Sequence, residues 1–253
     1  MSAAPLLAIK NLVKRYGGLI ATNDVTLDIR AGECHALIGP NGAGKTTLIA
    51  QLQGEIRPNS GAILFRGHDI TAQPPHRRAQ MGLARSFQIT SVIGPFTALE
   101  NVRLAVQARQ GHSFRFWRSA ASDTSLDIPA HEALGRVGLE TRRNILAENL
   151  SHGERRQLEL AMALAMQPSL LLLDEPMAGM GRQDGARMTR LLAELKRSFT
   201  IVLVEHDMGA VFSLADRISV LVSGRIIATG PPESVRTNAE VRAAYLGHSQ
   251  GAQ

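Results

Sequence analysis

The chain has 253 residues, 44% of them hydrophobic and 20% charged, and carries a formal net charge of +6. A chain of this length buries a large core without staples, and the composition excludes general disorder. The single cysteine, Cys34, excludes an internal disulfide and clustered-thiol metal sites, and the longest apolar run, 160–166, is far short of the ~18 residues of a membrane span.

The apolar stretch 3–9 is shorter than a secretion signal and has no basic flank before it, so the expectation is a soluble, cytosolic protein. The basic excess suits nucleotides, nucleic acid or anionic lipid heads, and equally a solvated surface. Leu7 and Ile9 alternate along one strand, and Val25, Leu27 and Ile29 along another. With Tyr16-Gly17-Gly18 at the turn, this spacing predicts a hairpin. An apolar strand over 34–38 enters a glycine-rich turn, and a helix follows over 45–53, closed by Gly54. Residues 61–65 predict another strand. From 87 to 149 helical patterns dominate. Thr97 and Glu100 form a capping box that opens a helix to about Arg109. Residues 111–127 are irregular, with Phe114, Phe116 and Trp117 among Arg115 and Arg118, and a second helix is predicted over 130–137.

Ser151 and Glu154 form another capping box, whose helix stops before Pro168. A buried strand follows over 170–173, then a helix over 185–196, a strand over 200–204, and a strand over 218–222 that turns at Gly224 into 226–228. The tail, 233–246, reads as helical and polar. The alternation predicts an α/β fold with a mainly parallel sheet covered on both faces. One domain is expected over 1–253: a core of 1–87 and 150–230, a helical lobe inserted over 88–149, and a helical tail over 231–253.

Gly39-Pro40-Asn41-Gly42-Ala43-Gly44-Lys45-Thr46 fits G-x-x-x-x-G-K-[ST] at every position, between a predicted strand and a predicted helix. The glycines let the backbone curl its N–H groups onto phosphate oxygens, and the helix N-terminus adds partial positive charge. Lys45 is expected to reach the β- and γ-phosphates and the Thr46 hydroxyl to ligate Mg2+, with Thr47 next in the same cradle. The leucines of 170–173 end in Asp174-Glu175. Ligands of such folds lie beyond the carboxyl ends of the strands. Asp174 is therefore placed to hold Mg2+ and Glu175 to polarise an attacking water; a charged strand end facing solvent is the alternative for this pair taken alone.

Leu150-Ser151-His152-Gly153-Glu154 resembles the L-S-G-G-Q signature of ABC-type ATPases. With the loop at Gly39 and the carboxylates Asp174 and Glu175, the order and spacing resemble an ABC cassette over nearly the whole chain. The resemblance implies a P-loop NTPase fold, with an antiparallel β subdomain beside the parallel core and an inserted helical lobe, and with ATP and Mg2+ as cofactors. It implies that Tyr16 stacks on adenine, that Gln88 serves the metal and the reaction at the junction with the lobe, and that His206 contacts the γ-phosphate. Residues 177–181 would touch a second cassette, and Ser151, Gly153 and Glu154 would meet the nucleotide that it holds. Local alternatives stand beside these roles. Tyr16 covers a sheet edge, Gln88 is a solvated linker, His206 caps the next helix, and the capping box alone accounts for Ser151 and Glu154.

Tyr16-Gly17-Gly18, Pro74-Pro75-His76-Arg77, Gly82-Leu83-Ala84-Arg85-Ser86-Phe87-Gln88 and Ala244-Tyr245-Leu246-Gly247 more narrowly resemble the ATP-binding subunit of branched-chain amino acid importers. That family implies ATP hydrolysis coupled to import, with a second ATPase subunit, two membrane permeases and a separate solute-binding protein. It places the subunit peripherally at the cytoplasmic face of a bacterial inner membrane, with no nucleic acid partner. The groove between Gln88 and the Thr97 helix is expected to receive a permease helix. The segment 114–118 either packs the lobe or meets the permease or lipid. His152 and Glu154 depart from the commoner Gly and Gln, and Gly181 stands where most cassettes carry Asp. Gly179 and Gly181 together predict a mobile segment and weak dimerisation of the isolated subunit, with a left-handed turn at Gly181 as the alternative. The rival functions are an ABC exporter ATPase and a soluble ABC protein acting on nucleic acid. The latter generally has two cassettes or a long coiled coil, and neither is evident in this sequence.

Overall fold

The alternating apolar residues near the N-terminus close a hairpin in the computed structural model, which describes residues 4–86, 92–110 and 124–246. Strands β1 (Leu7–Tyr16) and β2 (Leu19–Ile29) pair antiparallel, with Leu7 opposite Ile29 and Ile9 opposite Leu27. Strands β3 (Cys34–Ile38) and β4 (Ser60–Phe65) flank helix α1 (Lys45–Gln53), and the short β5 (His68–Asp69) follows. An antiparallel sheet forms in the order β2-β1-β4-β5.

Helix α2 (Pro75–Gln80) and β6 (Leu83–Ser86) lead to α3 (Ala98–Gln110), α4 (Asp127–Arg136) and α5 (His152–Ala165). Then come β7 (Leu170–Asp174), α6 (Arg182–Leu195), β8 (Thr200–Val204), α7 (Met208–Leu214), β9 (Arg217–Val222), β10 (Arg225–Gly230), α8 (Pro232–Thr237) and α9 (Ala239–Leu246). The second sheet runs β10-β9-β3-β8-β7-β6 and is parallel except for the β9–β10 hairpin. The runs 170–173 of β7 and 201–204 of β8 are apolar because both faces are covered, while buried His35 of β3 and Ser219 of β9 pair with each other at 2.8 Å. Leu171, Leu173, Ile201 and Leu203 pack towards α3–α6, whereas Leu170, Leu172, Val202 and Val204 pack towards α1 and the antiparallel sheet.

Both capping boxes form. The Glu100 N–H donates to Thr97 Oγ1 at 3.2 Å, and the Glu100 carboxylate accepts the Thr97 N–H at 2.7 Å. Two helices start earlier than their periodicity suggests. Helix α4 begins at Asp127 because Pro129 is tolerated in a first turn, where its missing N–H would have no helical partner. Helix α6 begins at Arg182, with Gly181 as its N-cap. The tail departs from the polar expectation. It breaks at Asn238, whose side chain accepts the N–H groups of Glu240 and Val241, and it buries Val235 and Val241 against Val211, Ile218 and Val220. Gln88 and the segment 114–118 lie outside the described residues.

Helix α2 was not legible as a helix, because its only turn and a half is held by one buried side chain. Arg78 is 1% exposed, and its guanidinium donates to the carbonyls of Gln51 (2.7 Å), Leu52 (2.6 Å), Thr71 (3.0 Å) and Gln73 (2.9 Å). The first two are C-terminal carbonyls of α1, where a helix leaves its acceptors unpaired and favours a cation. Arg78 therefore fastens the far end of α1 to α2. Buried acceptors left unpaired cost ~1–3 kcal/mol each. The Arg78→Ala variant should thus lose at least about 3 kcal/mol of unfolding free energy in a urea titration. Arg78→Lys, which lacks the planar fork, should recover only part of that loss.

Candidate active site

The glycine loop between β3 and α1 is wedged between the two sheets. A Cβ on Gly39 would lie 2.0 Å from the Leu221 carbonyl oxygen of β9, and a Cβ on Gly44 would lie 2.1 Å from the Ala21 carbonyl oxygen of β2. No side chain fits at either position, and Gly44 also has a φ of 105°. The loop is hooked to the β9–β10 turn, where the Gly224 N–H donates to the Ala43 carbonyl at 2.9 Å. Lys45 is 7% exposed, and its ammonium donates to the carbonyls of Gly39 (2.7 Å) and Pro40 (3.0 Å). Burial pulls its pKa down, and the nearby carboxylates Glu175 and Asp174 oppose that shift. Helix α1 starts with no side-chain cap and no acidic residue in its first turn. A buried cation on neutral acceptors, beside an uncapped helix N-terminus, fits a polyphosphate anion. Thr46 is exposed at the mouth of the loop and Thr47 half-buried.

The carboxylates come from two adjacent strand ends. Asp174 is buried and pairs with Val204 in the β7–β8 ladder. The Glu175 N–H donates to the Val204 carbonyl at 2.8 Å, and the chain then turns with a Glu175 φ of 52°. That left-handed conformation costs an L residue about 1–2 kcal/mol. It aims the Glu175 carboxylate at His206, with Oε1 2.6 Å from Nε2. His206 does not cap α7; the neighbouring Asp207 does, accepting the Ala210 N–H at 3.1 Å. Sequence reasoning missed Glu205. Its carboxylate is buried and accepts the N–H groups of Met177 (2.9 Å) and His206 (3.0 Å). The available signal was a carboxylate directly following the apolar run 201–204.

The remaining expected residues sit elsewhere on the chain. Tyr16 is 46% exposed at the end of β1, with the Lys14 ammonium 5.1 Å from its ring centre, so it protrudes rather than covering the sheet. Ser151 caps α5. Its hydroxyl accepts the Glu154 N–H at 3.2 Å, while the Glu154 carboxylate accepts the Ser151 N–H at 2.9 Å and the Arg142 Nε–H at 2.9 Å. Gly153 is buried against Asp184. Among the described residues, no hydrogen bond joins 151–154 to the glycine loop. The left-handed alternative for Gly181 is overturned. Its φ is −68°, extended, and a Cβ there would meet nothing within 4 Å. The left-handed glycine is Gly179, with a φ of 74° beside the His152 ring.

Residues 22–178 match the ABC transporter family, and residues 225–250 match the branched-chain amino acid ATP-binding cassette transporter family. This chain belongs to the ABC transporter family. It is 40% identical to the high-affinity branched-chain amino acid transport ATP-binding protein LivG of Salmonella typhimurium, over 97% of this chain and 99% of the relative. Identity to BraF of Pseudomonas aeruginosa, of the same description, is 36% over 97% and 99%. The lipopolysaccharide export system ATP-binding protein LptB of Haemophilus influenzae is 32% identical over 96% and 97%. Among solved structures, the ADP conformation of MJ1267, an ATP-binding cassette of an ABC transporter, superimposes with a TM-score of 0.85 at 26% identity, covering 97% of this chain and all of that one.

The fold is thus the P-loop ABC cassette, and the chain is an ATP-binding ATPase. Hydrogen bonds from a charged donor contribute about 1.5–3 kcal/mol, or roughly 10–100-fold in affinity. Lys45→Ala should weaken ATP binding by that factor in a titration with a fluorescent nucleotide. Unchanged affinity would mean that the loop at Gly39 does not hold the phosphates.

Proposed function

We propose that this cassette is the ATP-hydrolysing subunit of an importer for branched-chain amino acids or a related solute. The main support is the convergence of the Lys45 loop with the Glu175–His206 pair at neighbouring strand ends. The match over 225–250 to the branched-chain family favours import over export.

In this reading water attacks the γ-phosphate. Glu175 accepts the proton of the attacking water, and His206 holds the Glu175 carboxylate while facing the γ-phosphate. Lys45 offsets the charge on the β- and γ-phosphates, and catalysis is chiefly positioning and charge neutralisation. The Thr46 hydroxyl and Asp174 would hold Mg2+, with Gln88 as a further ligand. Among the described residues no cluster of three or more His, Cys, Asp or Glu could hold a metal alone. That suits Mg2+, which protein sites commonly share with substrate phosphates. Bound there, it would supply additional charge neutralisation. Exposed Tyr16 is available to stack on adenine.

A second ATPase subunit completes each site in this proposal. The Ser151 hydroxyl and Gly153 N–H, at the N-terminus of α5, meet the γ-phosphate held by the partner. Two permeases bind the other side. A cavity of about 300 Å³ between α1, α2, α3 and α5, lined by Gln53, Pro75, His76, Ala79, Ala105 and Met162 among others, is the proposed seat of a permease helix. Among the described residues no helix is long and apolar enough to cross a membrane. We place the subunit peripherally at the cytoplasmic face, energising transport of a solute delivered by a separate binding protein.

Glu175→Gln keeps the side-chain volume and removes the basicity. Phosphate release should fall by on the order of 10²–10⁴ while ATP binding persists. Near-normal turnover would remove Glu175 from the role of base. For the permease seat, a cysteine at His76 or Ala79 should crosslink to a co-expressed permease. Native Cys34 stays silent, because burial pushes its thiol up to about 12. Crosslinks arising only from cysteines placed in α9 would relocate the contact.

A further inference from the structure

The β7–β8 ladder ends where the Glu175 N–H meets the Val204 carbonyl. A side chain makes the next rung. The Met177 N–H donates to Glu205 Oε1 at 2.9 Å, and the His206 N–H donates to Glu205 Oε2 at 3.0 Å. Glu205 is 4% exposed, so both oxygens are committed to backbone donors, one on the loop that carries Glu175 and one at His206 itself. Between the Val204 and Glu205 anchors, Glu175 keeps its φ of 52°. Such a conformation persists only where surrounding contacts over-determine it.

We propose that Glu205 is a positioning residue for ATP hydrolysis: its carboxylate ties the 175–177 turn to His206 and thereby sets the 2.6 Å contact between Glu175 and His206. This rests on the reading of Glu175 as the base. Glu205 borders the same cleft as Glu175 and His206, but its burial and its two committed oxygens leave it no reach to a reacting water. An ionised carboxylate suits the task because it only accepts and has two oxygens to offer. Glutamine has one acceptor and would set its NH2 against a second N–H. Aspartate keeps the charge but is one methylene shorter and cannot span both donors.

The test uses the full-length chain with Glu205→Gln and Glu205→Asp, each alone and in a Glu175→Gln background. Misplacing a catalytic group by about 1 Å costs on the order of 10²-fold. Single-turnover hydrolysis should therefore fall roughly 10–100-fold in both variants, with ATP affinity unchanged. Amide hydrogen exchange at Met177 and Ala178 should accelerate, while exchange in β3 and α1 stays as in the parent. In the Glu175→Gln background, Glu205→Gln should add no further loss, because both changes act through one group. Should Glu205→Gln fail to fold, Glu205→Asp carries the same expectations. Parental hydrolysis in the folded variants, unchanged exchange at Met177, or a loss that multiplies fully with Glu175→Gln would each overturn the proposal. Near-parental hydrolysis in Glu175→Gln alone would instead overturn the base assignment. An inactive Glu175→Gln beside fully active Glu205 variants would sink only the positioning role.

Discussion

Two backbone contacts that admit no side chain hold the molecule together at its working end. Gly39 lies against the Leu221 carbonyl of the parallel sheet, and Gly44 lies against the Ala21 carbonyl of the antiparallel sheet. The phosphate loop is therefore the seam between the sheets, and a Cβ at either glycine would push them apart. At another contact between the sheets, Arg217 of β9 pairs with Asp28 of β2 at 3.1 Å and with Glu33 at 3.2 Å. Lys45 closes the seam from within by donating to two carbonyls of its own loop. Its charge is thus held in place by the loop itself, and the electrostatic role proposed for it depends on such preorganisation.

From this seam α1 extends about 13 Å, at 1.5 Å per residue. Its first turn opens from the glycine loop, the proposed phosphate site, and its last carbonyls are gripped by Arg78 of α2. Pro75, His76 and Ala79 of the same short helix line the cavity proposed for the permease. In the proposed function, one rigid element thus joins the nucleotide site to the permease seat, with a buried guanidinium at the joint. The register of β7 against β8 organises the other half of the site. It places Asp174 beside Val204 and brings Glu175 out next to Glu205 and His206.

Much of this was legible in the chain because the signals are local. Helix α1 spans the expected residues up to Gly54, and both capping boxes close as their spacing requires. The misreadings have equally physical causes. Pro129 inside the first turn of α4 resembles a break but lacks only an N–H that has no helical partner there. Two glycines stood in the 179–181 segment, and sequence offered no means of telling which is left-handed. In the structure the left-handed residue is Gly179, beside the His152 ring, while Gly181 is extended and is the N-cap of α6. The C-terminal helices looked polar because, among the described residues, Val235 is the buried residue of α8 and Val241 that of α9, both packed against β9 and α7.

By itself the sequence determined whatever depends on neighbours within about one helical turn or along one strand: strand and helix periods, the caps, and the phosphate loop with its lysine. Tertiary structure alone decided the pairings between distant positions. Glu175 meets His206 across 31 residues, Arg78 reaches Gln51 across 27, and Glu205 reaches Met177 across 28. These contacts follow from which strands lie side by side and in what register. That arrangement is settled by the burial of both sheet faces together, and no short window of residues contains it.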